Sequence, residues 1–234
     1  YVSDLDTGAI HRLDLSGTTI GVFDHGVDGR QAAGLPAVPM NAGDTMDITN
    51  LGFDTTNADT WGLADPKRRV WGLAYFKERL YYSVAQGAQI WSVGIKSDGM
   101  FASDARIEIQ AVPGDKAVSD ILFTPQGRMI LSQRGGIMSS SDYTQYHLPK
   151  QNSVLRYSRD TNGNWIQEPD EYAIGFPGDH RNASGGVGLA CDGTLWSTGD
   201  ALANDPATVV HGLQGNDVSH VRPLNVPPFA SWFI

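Results

Sequence analysis

One pattern occurs three times in this chain: an apolar strand, a tight polar turn and a second apolar strand. The three copies are Val70–Val84, Val118–Ser132 and Gly186–Asp200. Their second strands begin at equivalent points, namely Leu80, Met129 and Leu195. The intervals between these three starting points lie within or above the usual spacing of propeller blades, once loops of different length are allowed for. A β unit repeated in this way, with Gly or Asp in its turn, predicts a β-propeller, which is an array of small antiparallel sheets.

The repeats predict an all-β fold of about four to six blades in a single domain, residues 1–234. A fourth copy, Tyr1–Gly17, opens the chain and lacks only its first strand. Residues 31–69, rich in Gly, Pro, Asn and Asp, are expected to form an irregular insertion or an extra blade. The apolar run after Pro228 either supplies the strand missing from the first blade or leads into a following domain. Because the chain begins inside a strand-like run without an initiator Met, we expect it to be part of a longer protein.

Charge and composition exclude some partners. The net charge is −9 and the pI about 4.9, whereas phosphate binding needs clustered Lys and Arg, so we expect no nucleic-acid partner. No apolar run is long enough to cross a membrane as a helix. The one basic cluster, Lys67 to Arg69, is interpreted as a solvated strand entrance. Cys191 is the single cysteine and is predicted to be a buried, inert thiol.

The first seventeen residues resemble the YWTD-type repeat of low-density-lipoprotein-receptor-like propellers, and they also resemble NHL repeats and the gluconolactonase group. The shared positions are Tyr1, Asp4, Gly8, Ile10, Arg12, Asp14, Leu15 and Gly17. The sequence departs from the YWTD pattern at Val2, where that family carries Trp. The YWTD resemblance implies extracellular binding of a protein or a glycan.

A second resemblance points to an enzyme. The segment 178–200 is similar to a region of the soluble sugar dehydrogenases that use pyrroloquinoline quinone, and segments 118–136 and 152–163 are similar to other blades of that family. The resemblance implies that Arg181 contacts the quinone, with Asn182 beside it. Between the two motifs only His147 stands in the interval where that family places its general base. The alternative is that Arg181 and Asn182 bind backbone carbonyls where a blade begins.

Lactonase-type propellers hold one divalent cation through a Glu, Asn side chains and an Asp. Asp120, Asn182 and Asp200 lie near predicted strand starts, but no Glu starts a first strand, so the ligand set is incomplete.

A separate calcium candidate is the string from Asp160 to Asn164. Asp160, Asn162 and Asn164 place oxygen side chains at alternate positions, with Glu168 downstream, and Ca²⁺ takes six to eight oxygen ligands. The alternative is an ordinary hairpin turn, in which Asn and Gly accept positive φ.

These observations favour a noncatalytic binding or structural propeller module of a larger extracellular, cell-surface or periplasmic protein. Its partner is expected to be a protein or glycan ligand, or a neighbouring domain, met by the long loops 31–69, 135–151 and 201–217. The alternative is a quinone-dependent sugar dehydrogenase or a metal-dependent lactonase on a six-bladed propeller. No catalytic residue is assigned, and calcium is the one cofactor that the string at Asp160 suggests. The residues expected to be buried on the innermost strands are Trp71, Leu73, Ile121, Phe123, Val187 and Leu189.

Overall fold

The computed structural model describes residues 1–41, 43–136, 150–168, 171–204 and 210–234. Residues 1–117 form one compact unit, and the described residues from Val118 onward form a second. Each unit contains two antiparallel sheets. No helix in the described part of the chain is long and apolar enough to span a membrane.

The first unit contains seven strands in two sheets. Sheet 1 has the order β1-β2-β3, and sheet 2 has the order β4-β5-β6-β7. The strands are β1 (Val2–Ser3), β2 (Ala9–Leu13), β3 (Thr19–Asp24), β4 (Val70–Phe76), β5 (Arg79–Val84), β6 (Gln89–Gly94) and β7 (Arg106–Ile109). Short helical turns lie at His25–Gly29, Arg30–Ala32, Ala58–Thr60 and Pro113–Asp115.

The second unit contains eight strands in two sheets of four. Sheet 3 has the order β8-β9-β10-β11, and sheet 4 has the order β12-β13-β14-β15. Its strands are β8 (Ala117–Phe123), β9 (Met129–Gly135), β10 (Val154–Arg159), β11 (Trp165–Gln167), β12 (Ala183–Leu189), β13 (Thr194–Gly199), β14 (Gly212–Asp217) and β15 (Trp232–Phe233). The all-β, blade-type fold is therefore confirmed, and the four sheets of the described residues lie within the predicted range of four to six.

A bulge recurs in the first strand of two sheets. The register of β4 on β5 shifts between Val70 and Leu73, and Ser83 on β5 accepts a hydrogen bond from the Gly72 amide at 2.9 Å. In sheet 4 the register of β12 shifts in the same region, and Thr198 Oγ1 accepts from the Gly186 amide at 2.7 Å. A bulge leaves a backbone amide out of the ladder, and here a hydroxyl on the neighbouring strand restores its hydrogen bond.

Each unit has an apolar core between its two sheets. In the first unit Ile10 and Phe23 of sheet 1 pack with Leu80, Tyr82 and Trp91 of sheet 2. In the second unit the core is formed by residues from both sheets and from the segments beside them: Ile130, Val154, Tyr172, Ile174, Ala183, Leu195, Leu202 and Val221.

The prediction that the buried core lies on the first strands is wrong. Of the six residues named, only Ile121 is buried, and the other five are partly exposed. Most of the largest fully buried side chains lie instead on inner strands of the sheets, such as Tyr82 on β5, Trp91 on β6 and Met129 on β9. The first strands β4, β8 and β12 are edge strands of their sheets, so they have a neighbouring strand on one side only.

The described part of residues 31–69 contains no strand. It is attached to sheet 1 by backbone contacts, since the Ala64 amide donates to Asp6 O at 3.0 Å and the Val38 amide donates to Gly26 O at 2.8 Å. The Met46 amide donates to the carboxylate of Asp6 at 2.7 Å.

The C-terminal apolar run does not complete sheet 1. Trp232 and Phe233 form β15, which pairs with Gly215 and Gln214 of β14. The run is therefore the outer strand of its own sheet, and β1 is paired with β2 alone.

Two local interpretations are wrong. Arg68 and Arg69 are buried, and only Lys67 of the basic cluster is exposed. Arg68 donates to Thr7 O and Val38 O and forms an ion pair with Asp24, so its charge is satisfied inside the fold. Cys191 is exposed, because β12 ends at Leu189 and the thiol lies in the following turn.

Candidate functional site

Arg181 is held by a carboxylate. Its Nε donates to Glu171 at 2.8 Å, Asp179 lies 3.7 Å from Nη1, and nearly half of its side chain is exposed. The hydrogen bond to Glu171 raises the pKa of Arg181. Glu171 also lies 3.3 Å from the Nε of Arg222. The guanidinium thus forms an ion-pair cluster, which is different from the carbonyl contacts that the structural alternative expected of it.

Asn182 does make those carbonyl contacts. Its side chain is fully buried, and Nδ2 donates to Ile174 O at 2.8 Å and to Pro177 O at 3.2 Å. Nδ1 of the neighbouring His180 lies 2.9 Å from Gly175 O. His147 lies outside the described residues. Asn182 therefore fixes the loop that precedes β12.

The calcium candidates form a compact turn between β10 and β11. Asp160 Oδ1 accepts from the amides of Asn162 and Asn164, at 2.9 and 2.8 Å, and Oδ2 lies 3.2 Å from Asn164 Nδ2. These hydrogen bonds, led by the one from the Asn164 amide, lower the pKa of Asp160. Glu168 is bound by Arg128 and Arg156 at 2.9 and 2.5 Å. In the part of the chain that the structure describes, no three His, Cys, Asp or Glu side chains are grouped to hold a metal ion.

Asp120 supports the backbone. Its Oδ2 accepts from the Val187 amide at 3.0 Å, and Oδ1 accepts from the Ile121 amide at 2.9 Å. Burial raises the pKa of Asp120, and the two amides oppose that shift. Asp200 is buried at the end of β13, and the Asp200 amide donates to Asn182 O at 2.9 Å.

A different surface, on sheet 4, has the features of a binding site. It is an open groove of about 600 Å³, lined by Asp192, Gly193, Thr194, Trp196, Asp217, Trp232, Phe233 and Ile234. We call the side of sheet 4 that carries Trp196, Leu213, Gly215, Trp232 and Ile234 the tryptophan face.

Strand pairing places the two tryptophans in one row. Trp196 on β13 pairs with Gly215 on β14, which pairs with Trp232 on β15. Directly paired residues project to the same side of a sheet, so both indoles belong to one face. The Trp196 ring lies over Gly215, 3.0 Å from the place where a Cβ would stand. The absence of a side chain at Gly215 therefore allows the Trp196 ring to lie over this position.

The opposite side of sheet 4 is core and holds β15 in place. Leu195, Ser197, Gln214 and Asn216 alternate with the tryptophan face and are fully buried. The hydroxyl of Ser231, next to Trp232, donates to Asn216 Oδ1 at 2.7 Å. A buried network that includes Gln214 thus anchors the segment before Trp232, although the Trp232 side chain is 54% exposed.

Two carboxylates border the groove. Asp217 accepts from the amide and hydroxyl of Ser219, at 2.8 and 2.7 Å, and Asp192 accepts from the Thr194 amide at 2.9 Å. The pKa of Asp217 is lowered by the Ser219 hydroxyl, and that of Asp192 by the Thr194 amide. Both carboxylates are therefore ionised at neutral pH.

A second groove, of about 640 Å³, lies on the first unit and includes Tyr1, Tyr75, Glu78 and Lys96. The Tyr1 hydroxyl donates to Gly99 O at 2.5 Å, so its polar end is already engaged.

The sequence did not reveal the tryptophan face. The long loops expected to form the recognition surface include Asp217, but the aromatic groups of the groove lie on strands β13 and β15. The available signal was positional, since Trp196 directly follows Leu195 and so corresponds to Ile130, after Met129. The part played by Trp232 depends on strand pairing, which its local sequence does not encode.

No protein-family model matches the chain, and no curated protein matches it. Among solved structures, it is similar to selenomethionine-substituted virginiamycin B lyase from Staphylococcus aureus, with 13% sequence identity and a TM-score of 0.35. The match covers 63% of this chain and 48% of the lyase, so the chain spans about half the length of that structure. A likeness this weak supports no argument about activity.

Proposed function

We propose that this chain is a noncatalytic propeller-type binding module of a larger extracellular or surface-exposed protein, and that it binds its partner through the tryptophan face. The observation that carries the proposal is the row Trp196–Gly215–Trp232, which exposes indole surface on a sheet whose other side is core. Exposed apolar patches on folded proteins mark interaction surfaces, and Trp is enriched where binding energy concentrates.

The turn chemistry of the first repeat supports assignment to the YWTD, NHL or gluconolactonase-like propellers. Asp14 accepts hydrogen bonds from the amides of Ser16 and Thr18, at 2.8 and 2.9 Å, and so closes the turn between β2 and β3. The Asp4 carboxylate accepts from the Thr7 hydroxyl at 2.6 Å in the preceding turn. The two acids that this segment shares with those propellers are thus explained by hairpin geometry, and they give no reason to place recognition here.

The enzymatic alternatives would require existing interactions to be given up. A quinone that paired with Arg181 would compete with Glu171, whose carboxylate lies 2.8 Å from Nε. A calcium ion at Asp160 would compete with the amides of Asn162 and Asn164. The tryptophan face needs no such exchange.

The native Cys191 provides a reporter for this proposal. It is exposed and directly precedes Asp192, which borders the groove. The thiol would be labelled with an environment-sensitive dye, and the labelled protein titrated with unlabelled protein, maltohexaose and chitohexaose. A saturable signal with at least one titrant, lost in Trp232→Ala and kept in the exposed control Leu51→Ala, is the expected result.

Two results would contradict the proposal. One is a dye signal that no titrant changes. The other is sugar oxidation after reconstitution with quinone and calcium that disappears in Arg181→Lys.

A further inference from the structure

The first and the last sheet of the chain each expose a face that is buried in the neighbouring repeats. We propose that the tryptophan face of one copy stacks on the open face of sheet 1 in a second copy. This inference rests on the proposed function and names the partner of the same face.

For sheet 4, the comparison is with the residues that follow the equivalent second-strand starts. Trp196 corresponds to Ile130 in sheet 3 and to Tyr81 in sheet 2, and both of these are buried. Ile130 is covered within the second unit, where it packs in one core with Leu195 of sheet 4. Trp196 is instead partly exposed, and strand pairing places it in one row with the exposed Trp232. The tryptophan face of sheet 4 therefore corresponds to the side of sheet 3 that packs on sheet 4.

For sheet 1, the comparison is with the hairpin β5–β6. Val2 pairs with His11 in sheet 1 as Tyr82 pairs with Trp91 in sheet 2. Tyr82 and Trp91 are fully buried, whereas Val2 is 50% exposed. His11 also pairs with Val22 of β3, which is 54% exposed.

We call this side of sheet 1 the valine face, consisting of Val2, His11 and Val22. On this side Val2 and Val22 of sheet 1 are about half exposed, whereas Tyr82 and Trp91 of sheet 2 are buried.

The valine face and the tryptophan face correspond to the two sides of neighbouring sheets that pack on each other within a unit. Within the first unit, the side of sheet 2 that carries Tyr82 and Trp91 packs against Ile10 of sheet 1. Within the second unit, the Leu195 side of sheet 4 packs against Ile130 of sheet 3. Stacking a valine face on a tryptophan face would repeat this same contact between two chains.

A contact between two different faces is heterologous, so it produces a closed ring or an open chain of copies. This property gives the inference a specific test. Trp232→Asp damages the tryptophan face and leaves the valine face intact, and Val22→Asp does the reverse. Each variant alone lacks one half of the contact, but a mixture of the two contains one intact pair of faces.

The experiment is light scattering and sedimentation of the purified chain over a range of concentrations. The wild-type chain is expected to associate, and each variant is expected to need at least about tenfold higher concentration for half-association. An equimolar mixture of the two variants should form a heterodimer. Leu51→Asp is the matched control and should associate as the wild type does. Circular dichroism and thermal melting verify folding, and Leu213→Asp replaces Trp232→Asp if that variant does not fold.

The outcomes separate the inference from the proposed function. A wild-type chain that stays monomeric at all concentrations overturns the inference, and so does Val22→Asp that associates normally, since the tryptophan face would then pair with itself. If the dye on Cys191 still responds to an oligosaccharide in a monomeric chain, the binding function stands and the second copy is the wrong partner. If the dye responds to nothing, both proposals fail.

Discussion

Arg68 and Asp24 form an ion pair in the first unit, in which one guanidinium nitrogen lies 2.9 Å from both carboxylate oxygens. The remaining nitrogens of Arg68 donate to Thr7 O at 2.8 Å and to Val38 O at 2.6 Å. One side chain therefore connects the turn before β2, the end of β3 and the irregular segment that follows. The side chain of Arg68 is 1% exposed, so water cannot replace these partners.

We predict that Arg68→Ala lowers the free energy of unfolding by roughly 2–4 kcal/mol, because it leaves two carbonyls without their donor and removes the ion-pair partner of Asp24, which keeps the Val27 amide. Chemical denaturation measures the change. Lys67→Ala is the control, and as an exposed substitution it should stay within about 0.5 kcal/mol of wild type. Equal effects of the two substitutions would contradict the arrangement.

The position of the core is tested by a pair of identical substitutions in one sheet. Leu80→Ala on β5 removes a side chain that is 2% exposed and should cost roughly 2–5 kcal/mol. Leu73→Ala, on the edge strand β4, removes a partly exposed side chain and should cost clearly less. Denaturant midpoints give the comparison, and a larger loss at Leu73 would show that the innermost strand is the core after all.

His25 gives a prediction about pH. It is fully buried, its Nδ1 lies 3.1 Å from the Tyr82 hydroxyl, and its ring contacts Trp91 edge to face. Burial, helped by the charges of Arg30 and Arg68, lowers the pKa of His25 from 6.5 to about 3. The unfolded chain therefore takes up a proton near pH 6.5, where the folded chain does not.

Lowering the pH below 6.5 should consequently destabilise the fold through His25, by at most about 1.4 kcal/mol per pH unit, until the folded state protonates near pH 3. Because carboxylates also titrate in this range, the measurement is the difference between wild type and His25→Gln in unfolding free energy from pH 7 to pH 4.5. The wild-type curve should fall more steeply. Parallel curves for the two proteins would mean that burial does not lower the pKa of His25 in the folded state.

Calcium should have no effect on the turn at Asp160, because the amides of Asn162 and Asn164 already occupy one oxygen of that carboxylate. We expect the same melting temperature in EDTA and in calcium chloride. A calcium-dependent rise that is lost in Asp160→Ala but kept in Asp192→Ala, a turn acid elsewhere, would instead assign a metal site to this string.

The strands and their turns could be predicted from the sequence because their signals are local. The strands β5 and β9 begin with short apolar runs, and Gly or Asp stands in most of the turns between strands. Burial could not be predicted in the same way, since it depends on where a strand stands in its sheet. Leu73 and Leu80 have the same side chain, but only Leu80 lies on a strand with neighbours on both sides.

The long-range partners were equally hidden. Arg68 looked like a solvated charge because its partner Asp24 lies far away in the sequence. Cys191 follows an apolar run, but the strand ends two residues before it. The tryptophan face exists because β15 pairs with β14, and that pairing places Trp232 in line with Trp196.

The most direct test of the tryptophan face as a binding surface is photo-cross-linking from Cys191. The thiol would be coupled to benzophenone maleimide, and the protein irradiated as a mixture of nitrogen-14 and nitrogen-15 copies, so that mass spectrometry separates links within a chain from links between chains. We predict links between chains that join Cys191 to peptides of sheet 1, within Val2 to Asp24, and their loss in Trp232→Ala. Links between chains that survive Trp232→Ala, or that lead to any surface other than sheet 1, would contradict the account.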